Sequence, residues 1–98
     1  MKTLDKKIKI PVKIPGILTN CTNGAKTIFV SANKLNECFS ELYNKFPLLK
    51  MHILDENENL RPHILFFYNQ ENVSWLDSLE IDLKEGDKIQ IIQAVSGG

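Results

Sequence analysis

The sequence predicts an α+β fold in which a mixed sheet of four to five strands wraps around one main helix. Three observations lead there. Apolar residues alternate at period two near the start, switch to helical spacing after Asn33, and alternate again close to the end. Ile8, Ile10, Val12 and Ile14 alternate with Lys7, Lys9, Pro11 and Lys13, as in a strand with one buried and one wet face. Pro11 cannot donate to a ladder and usually marks an edge or a bulge, with its ring on the polar face. Residues 15–24 are rich in turn formers, Thr19-Asn20 and Thr22-Asn23-Gly24 among them, and predict the loop of a wide hairpin into a second strand over residues 26–31.

Leu35, Cys38, Phe39, Leu42 and Phe46 then share one side of a helix, with Lys34, Glu37, Glu41 and Lys45 largely elsewhere, and Asn33 or Ser31 is placed to cap it. Pro47 cannot sit inside that helix but suits the opening of a second, short one through Leu48, Leu49, Met51 and Ile53. Beyond the polar stretch 55–59, Ile64-Leu65-Phe66-Phe67-Tyr68 has the aromatic content of a strand. A turn over residues 69–72 leads into a short strand at Val73-Ser74-Trp75. Gly86 supplies a positive φ before the closing strand of residues 88–95. With the first and last strands side by side, this order describes a β-grasp sheet.

Ninety-eight residues, 43% hydrophobic and 24% charged, fit one domain over 1–98 with one modest core. Twelve Lys and Arg balance twelve Asp and Glu, so no overall field draws in nucleic acid or a membrane surface. Lys9, Pro11 and Lys13 interrupt the apolar residues after the basic start, which removes a signal-peptide reading, and no apolar run approaches the roughly 20 residues of a membrane span. The expected location is the cytoplasm. Cys21 and Cys38 lack zinc spacing, and His52 and His63 stand apart, so no metal site is predicted. Cys38 shares the helix face with Leu35 and Leu42, as a small buried apolar side chain would. Gly16, Gly24 and Gly86 are isolated, so no phosphate loop is present either.

The chemistry concentrates in Ser96, Gly97 and Gly98, expected to form a flexible functional tail over 96–98. Glycine is about 7% of ordinary usage, so two at the final positions arise by chance on the order of 0.5% of the time. Without a Cβ such a tail can lie extended in a narrow channel, where its carboxylate reaches a nucleotide phosphate held by another enzyme. Adenylation makes that carboxylate an electrophile, and a sulfur donor can then displace the nucleotide and leave a thiocarboxylate, a soft nucleophile. The mundane alternative is a frayed or cut terminus.

The ending Ala94-Val95-Ser96-Gly97-Gly98, preceded by Leu83-x-x-Gly86-Asp87-x-Ile89 and Asn69-x-Glu71-x-Val73, resembles the ThiS/MoaD-type sulfur-carrier family of ubiquitin-like β-grasp proteins. Ile14-Pro15-x-Ile17-Leu18, Gly24-x-Lys26 and Val30-Ser31-Ala32 are similar to its cysteine-biosynthesis branch. The resemblance implies a carrier and co-substrate rather than an enzyme. Gly98 would bear the thiocarboxylate, Gly97 would be the flexible residue before it, and Ile92 an apolar position facing partners. It also implies charging by an ATP-dependent adenylyltransferase of the ubiquitin-activating kind. A pyridoxal-phosphate-dependent cysteine synthase and a metallopeptidase would follow, none of whose cofactors belongs to this chain.

Phe66, Phe67 and Tyr68 are consecutive, so at least one leaves the helix-covered side of a strand. An exposed patch around Phe66 or Tyr68 and Ile92 is the expected docking surface. Alternatives are a protein modifier joined through Gly98 to lysine, the small subunit of molybdopterin synthase, a thiamin or secondary-metabolite carrier, and a plain interaction domain.

Overall fold

The computed structural model describes residues 7–94. β1 (Ile8–Lys13) follows the alternation of its sequence, with Ile10 and Val12 fully buried and Lys9 and Lys13 exposed. β2 (Thr27–Ala32) pairs with it antiparallel, Ile8 opposite Ala32 and Lys13 opposite Thr27. The connection is the expected wide hairpin, but it is not plain loop: Gly16–Thr22 winds into a 3-10 helix. Buried Leu18 anchors this turn to the core, and the hydroxyl of buried Thr22 hydrogen-bonds the Ala25 carbonyl at 2.8 Å. Asn23 at φ 57 and Gly24 at φ 87 then reverse the chain in the left-handed region.

α1 (Leu35–Lys45) buries Leu35, Cys38, Phe39 and Leu42 of the stripe that the spacing predicts, while Phe46, its fifth member, is the half-buried C-cap residue. Its N-terminus departs from expectation. Neither Asn33 nor Ser31 caps it; Lys34 occupies the cap position and makes no side-chain cap. The first-turn N–H groups of Leu35 and Asn36 donate instead to the backbone carbonyls of Ile81 and Leu79, at 2.9 Å each. A distant segment thus does what a side-chain oxygen ordinarily does. α2 (Pro47–Ile53) carries Pro47 in its first turn, as expected, and buries Leu49 and Ile53.

β3 (Ile64–Tyr68) turns at Asn69, φ 57, into β4, which is only Glu71–Asn72. The short strand expected at Val73–Trp75 is a 3-10 helix, because the Asn72 side chain accepts from the Ser74 N–H at 2.8 Å and bends the chain out of the sheet. β5 (Ile89–Gln93) closes the fold. The five strands order as β2-β1-β5-β3-β4, with β1 and β5 parallel and the other neighbours antiparallel. This is the mixed β-grasp sheet, with α1 on its inner face and the Phe39 and Phe66 rings 5.0 Å apart at their meeting point.

Pro11 lies in an inner strand, not at an edge. The Ile14 N–H donates to the Lys26 carbonyl, and alternation along the ladder therefore turns the Pro11 nitrogen away from β2. On that other side, pairing with β5 begins only at Val12 opposite Ile89. The missing donor falls just short of the neighbour that would have needed it.

Candidate functional site

Ser96, Gly97 and Gly98 lie outside the described residues, so the site is seen here at its root. The final described sheet contact is the Ala94 N–H donating to the His63 carbonyl at 2.8 Å. β5 delivers the chain to this point from the middle of the sheet, with β3 along its whole length.

Ile92 is half-buried on the outer face, directly opposite Leu65. The expected patch needs correction at its other two members. Phe66 is 2% exposed and Tyr68 6%, both facing the helices. The register with β5 sets this parity, since Phe66 pairs with buried Ile91 and Tyr68 with buried Ile89. Leu65 and Phe67 are therefore the outward residues beside Ile92, and both are half-buried. The Tyr68 hydroxyl is satisfied in that position: it donates to Asp87 Oδ2 at 2.6 Å, and both groups are buried.

That carboxylate organises the end of β5 remote from the tail. Asp87 also accepts from the Lys84 N–H at 2.8 Å and from Asn69 Nδ2 at 3.2 Å. Burial by itself pushes the Asp87 carboxyl up, but the hydrogen bonds from Tyr68, Lys84 and Asn69 outweigh it and hold the group below the usual carboxylate range. Burial, reinforced by the Asp87 carboxylate, pushes the Tyr68 hydroxyl up to about 12.

The rest of the outer face is mixed, with basic and polar side chains beside Pro11 and Phe29. Thr27, Lys13, Gln90 and Phe67 form one row across four strands, and Lys9 stands 5.7 Å over the exposed Phe29 ring. Where β1 leaves the sheet, a groove of about 240 Å³ opens, lined by Lys13, Ile14, Pro15 and residues 90–93. Cys38 is inert, its thiol pushed up to about 12 by burial, and Cys21 is half-buried against the core. No group of three or more His, Cys, Asp or Glu placed to hold a metal occurs among the described residues, and no helix there is long and apolar enough to cross a membrane.

The model of the ThiS family matches residues 12–98, from β1 through the terminal glycine pair. The chain belongs to the ThiS family. Among curated ThiS-type relatives, the sulfur carrier protein CysO of Mycobacterium tuberculosis is 27% identical over 93 residues, covering 93% of this chain and all of the relative. A chain of the Amycolatopsis orientalis BexX/CysO complex superposes with a TM-score of 0.76 at 30% identity, over 91% of this chain and 99% of the other. The small archaeal modifier protein 1 of Methanosarcina acetivorans gives 0.72 at 31% identity, over 94% and 98%. The fold is accordingly the ubiquitin-like β-grasp of this family.

Proposed function

We propose that this chain is a sulfur carrier whose Gly98 carboxylate is adenylated by an ATP-dependent adenylyltransferase of the ubiquitin-activating kind and then converted to a thiocarboxylate. A carboxylate oxygen attacks the α-phosphorus of ATP and pyrophosphate leaves. A sulfur donor next displaces AMP at the acyl carbon. The observation that carries this reading is the family match reaching through Gly97 and Gly98, attached to a sheet that holds their root at Ala94 and His63. The whole-length similarity to a CysO carrier supports cysteine biosynthesis as the destination, with a pyridoxal-phosphate-dependent synthase and a metallopeptidase as later partners. Ser96 and Gly97 give the carboxylate access to the partner's channel, and Ile92, with its outward neighbours Leu65 and Phe67, supplies the apolar contact.

Mass spectrometry of Gly98 from cell extracts tests the proposal. Sulfur replacing one oxygen is the expected result; its consistent absence in the presence of the activating enzyme and ATP would sink it. Deleting Gly97 and Gly98 is expected to abolish sulfur transfer while the unfolding midpoint stays unchanged.

A second reading has its own support in the 31% identity to an archaeal modifier protein over nearly the full chain. In that case Gly98 ends in an isopeptide bond, and lysine-linked conjugates appear in the same spectra.

A further inference from the structure

We propose that the edge of β5 left open at Ile91 and Gln93 accepts an extended segment of the partner that processes the tail, adding a strand beside its root, with a carboxylate of that segment against Lys13. The identity of the partner rests on the proposed function; the open edge does not.

The argument starts from hydrogen-bond parity. Ala94 N–H donates to the His63 carbonyl and Asn69 N–H to the Lys88 carbonyl, so the even positions of β5 face β3. Ile89, Ile91 and Gln93 therefore direct their backbone groups toward β1. The parallel register, Val12 with Ile89 and Lys13 with Gln90, commits Lys13 to Ile89 and to the Ile91 N–H. Two residues on, past the end of β1, stands Pro15, which has no N–H to give the Ile91 carbonyl and opens the 3-10 helix. The ladder stops there while β5 runs on to Gln93. Among the described residues, no backbone or side-chain partner outside the ladder meets the Ile91 carbonyl or the Gln93 N–H.

Ile91 and Gln93, which carry these two groups, line the groove together with Pro15. Unpaired strand groups beside a groove of about 240 Å³ match the main chain of an extended peptide, the means by which sheets take up a foreign strand. Charge specifies the occupant further. Lys13 is exposed on the groove wall, no carboxylate lines the groove, and Lys13 is in no ion pair among the described residues. Reach specifies its owner. Residues 95–98 span at most roughly 14 Å beyond Ala94, so the protein that receives Gly98 is already alongside β5.

The test uses the full chain with the adenylyltransferase and ATP, read by amide exchange and by binding. The Gln93 amide of the wild type is expected to become protected in the complex. Gln93→Pro removes this N–H and leaves the β3-facing bonds of Ile92 and Ala94 in place; it and Lys13→Glu are expected to weaken binding about tenfold each with the unfolding midpoint kept. A complex that charges Gly98 normally while the Gln93 amide stays unprotected overturns the inference and leaves the proposed function standing. If the wild type is never charged, the proposed function falls, and absence of Gln93 protection in the same titration removes the inference as well. Concentration-dependent dimerisation of the chain alone, lost in Gln93→Pro, would assign the edge to a second copy and overturn it too.

Discussion

At the Lys88 end of β5 a buried carboxylate gathers hydrogen bonds from Tyr68, Asn69 and Lys84, whereas at the Ala94 end one backbone bond to His63 holds the strand on one side. Both ends belong to the same five-residue strand in the same sheet. At the first end the buried carboxylate has its acceptor oxygens engaged by these donors. The second keeps, among the described residues, an open flank, an outward Ile92 and a lysine without a counter-charge. If the proposed partner contact lies at the second end, stability and binding are divided along a single strand, and substitutions at the two ends should have separable effects.

The largest loss is expected between the ends, at Ile91, which is 2% exposed and meets Phe66 across the sheet. Ile91→Ala should cost about 2–5 kcal/mol in denaturant unfolding, enough to depopulate a domain of ordinary stability. Next comes Asp87→Ala, which strips the Tyr68 hydroxyl and Lys84 N–H of their acceptor and should cost about 1–3 kcal/mol. It should also change the acid limb. The folded Asp87 carboxyl lies below its unfolded value of about 3.9, so its contribution is complete above about pH 4 and disappears as pH falls through the folded value. Urea midpoints across that range should fall less steeply in the variant than in the wild type.

Gly86→Ala should cost about 1 kcal/mol, because φ is 92 there although open space surrounds the position. Smallest is Lys34→Ala. The Lys34 and Asp82 side chains are 2.7 Å apart but solvent-exposed, and the unfolding midpoint should not move measurably. Equal losses of partner binding from Asp87→Ala and Gln93→Pro, measured on folded protein, would contradict the division of labour between the two ends.

Much of the architecture was legible in advance because period carries it. The alternation around Ile10 and Val12 and the helical stripe from Leu35 to Leu42 place β1 and α1 with little ambiguity. Residues 64–68 offered no such guide: all five are aliphatic or aromatic with no alternating polar partner, so the parity that turns Phe66 and Tyr68 inward comes only from the register with β5. The cap of α1 was equally hidden, since it comes from backbone carbonyls of residues 79 and 81, whose side chains say nothing about it. At the candidate site, the glycine pair was visible as residue type. The open edge was not, because it depends on where a parallel ladder between the first and last strands is cut short by Pro15.

The central position of β5 has one more consequence. Without it, the β1–β2 hairpin and the β3–β4 hairpin share no edge, so nothing resembling the sheet exists in a shorter chain. During synthesis, the early hairpin and α1 must wait for a strand that is translated after them all, which makes completion of the molecule all-or-none. Residues that follow Ala94 are consequently tethered to the piece that finishes assembly. A polypeptide interrupted before that point lacks both the strand that joins the two hairpins and the residues that follow it.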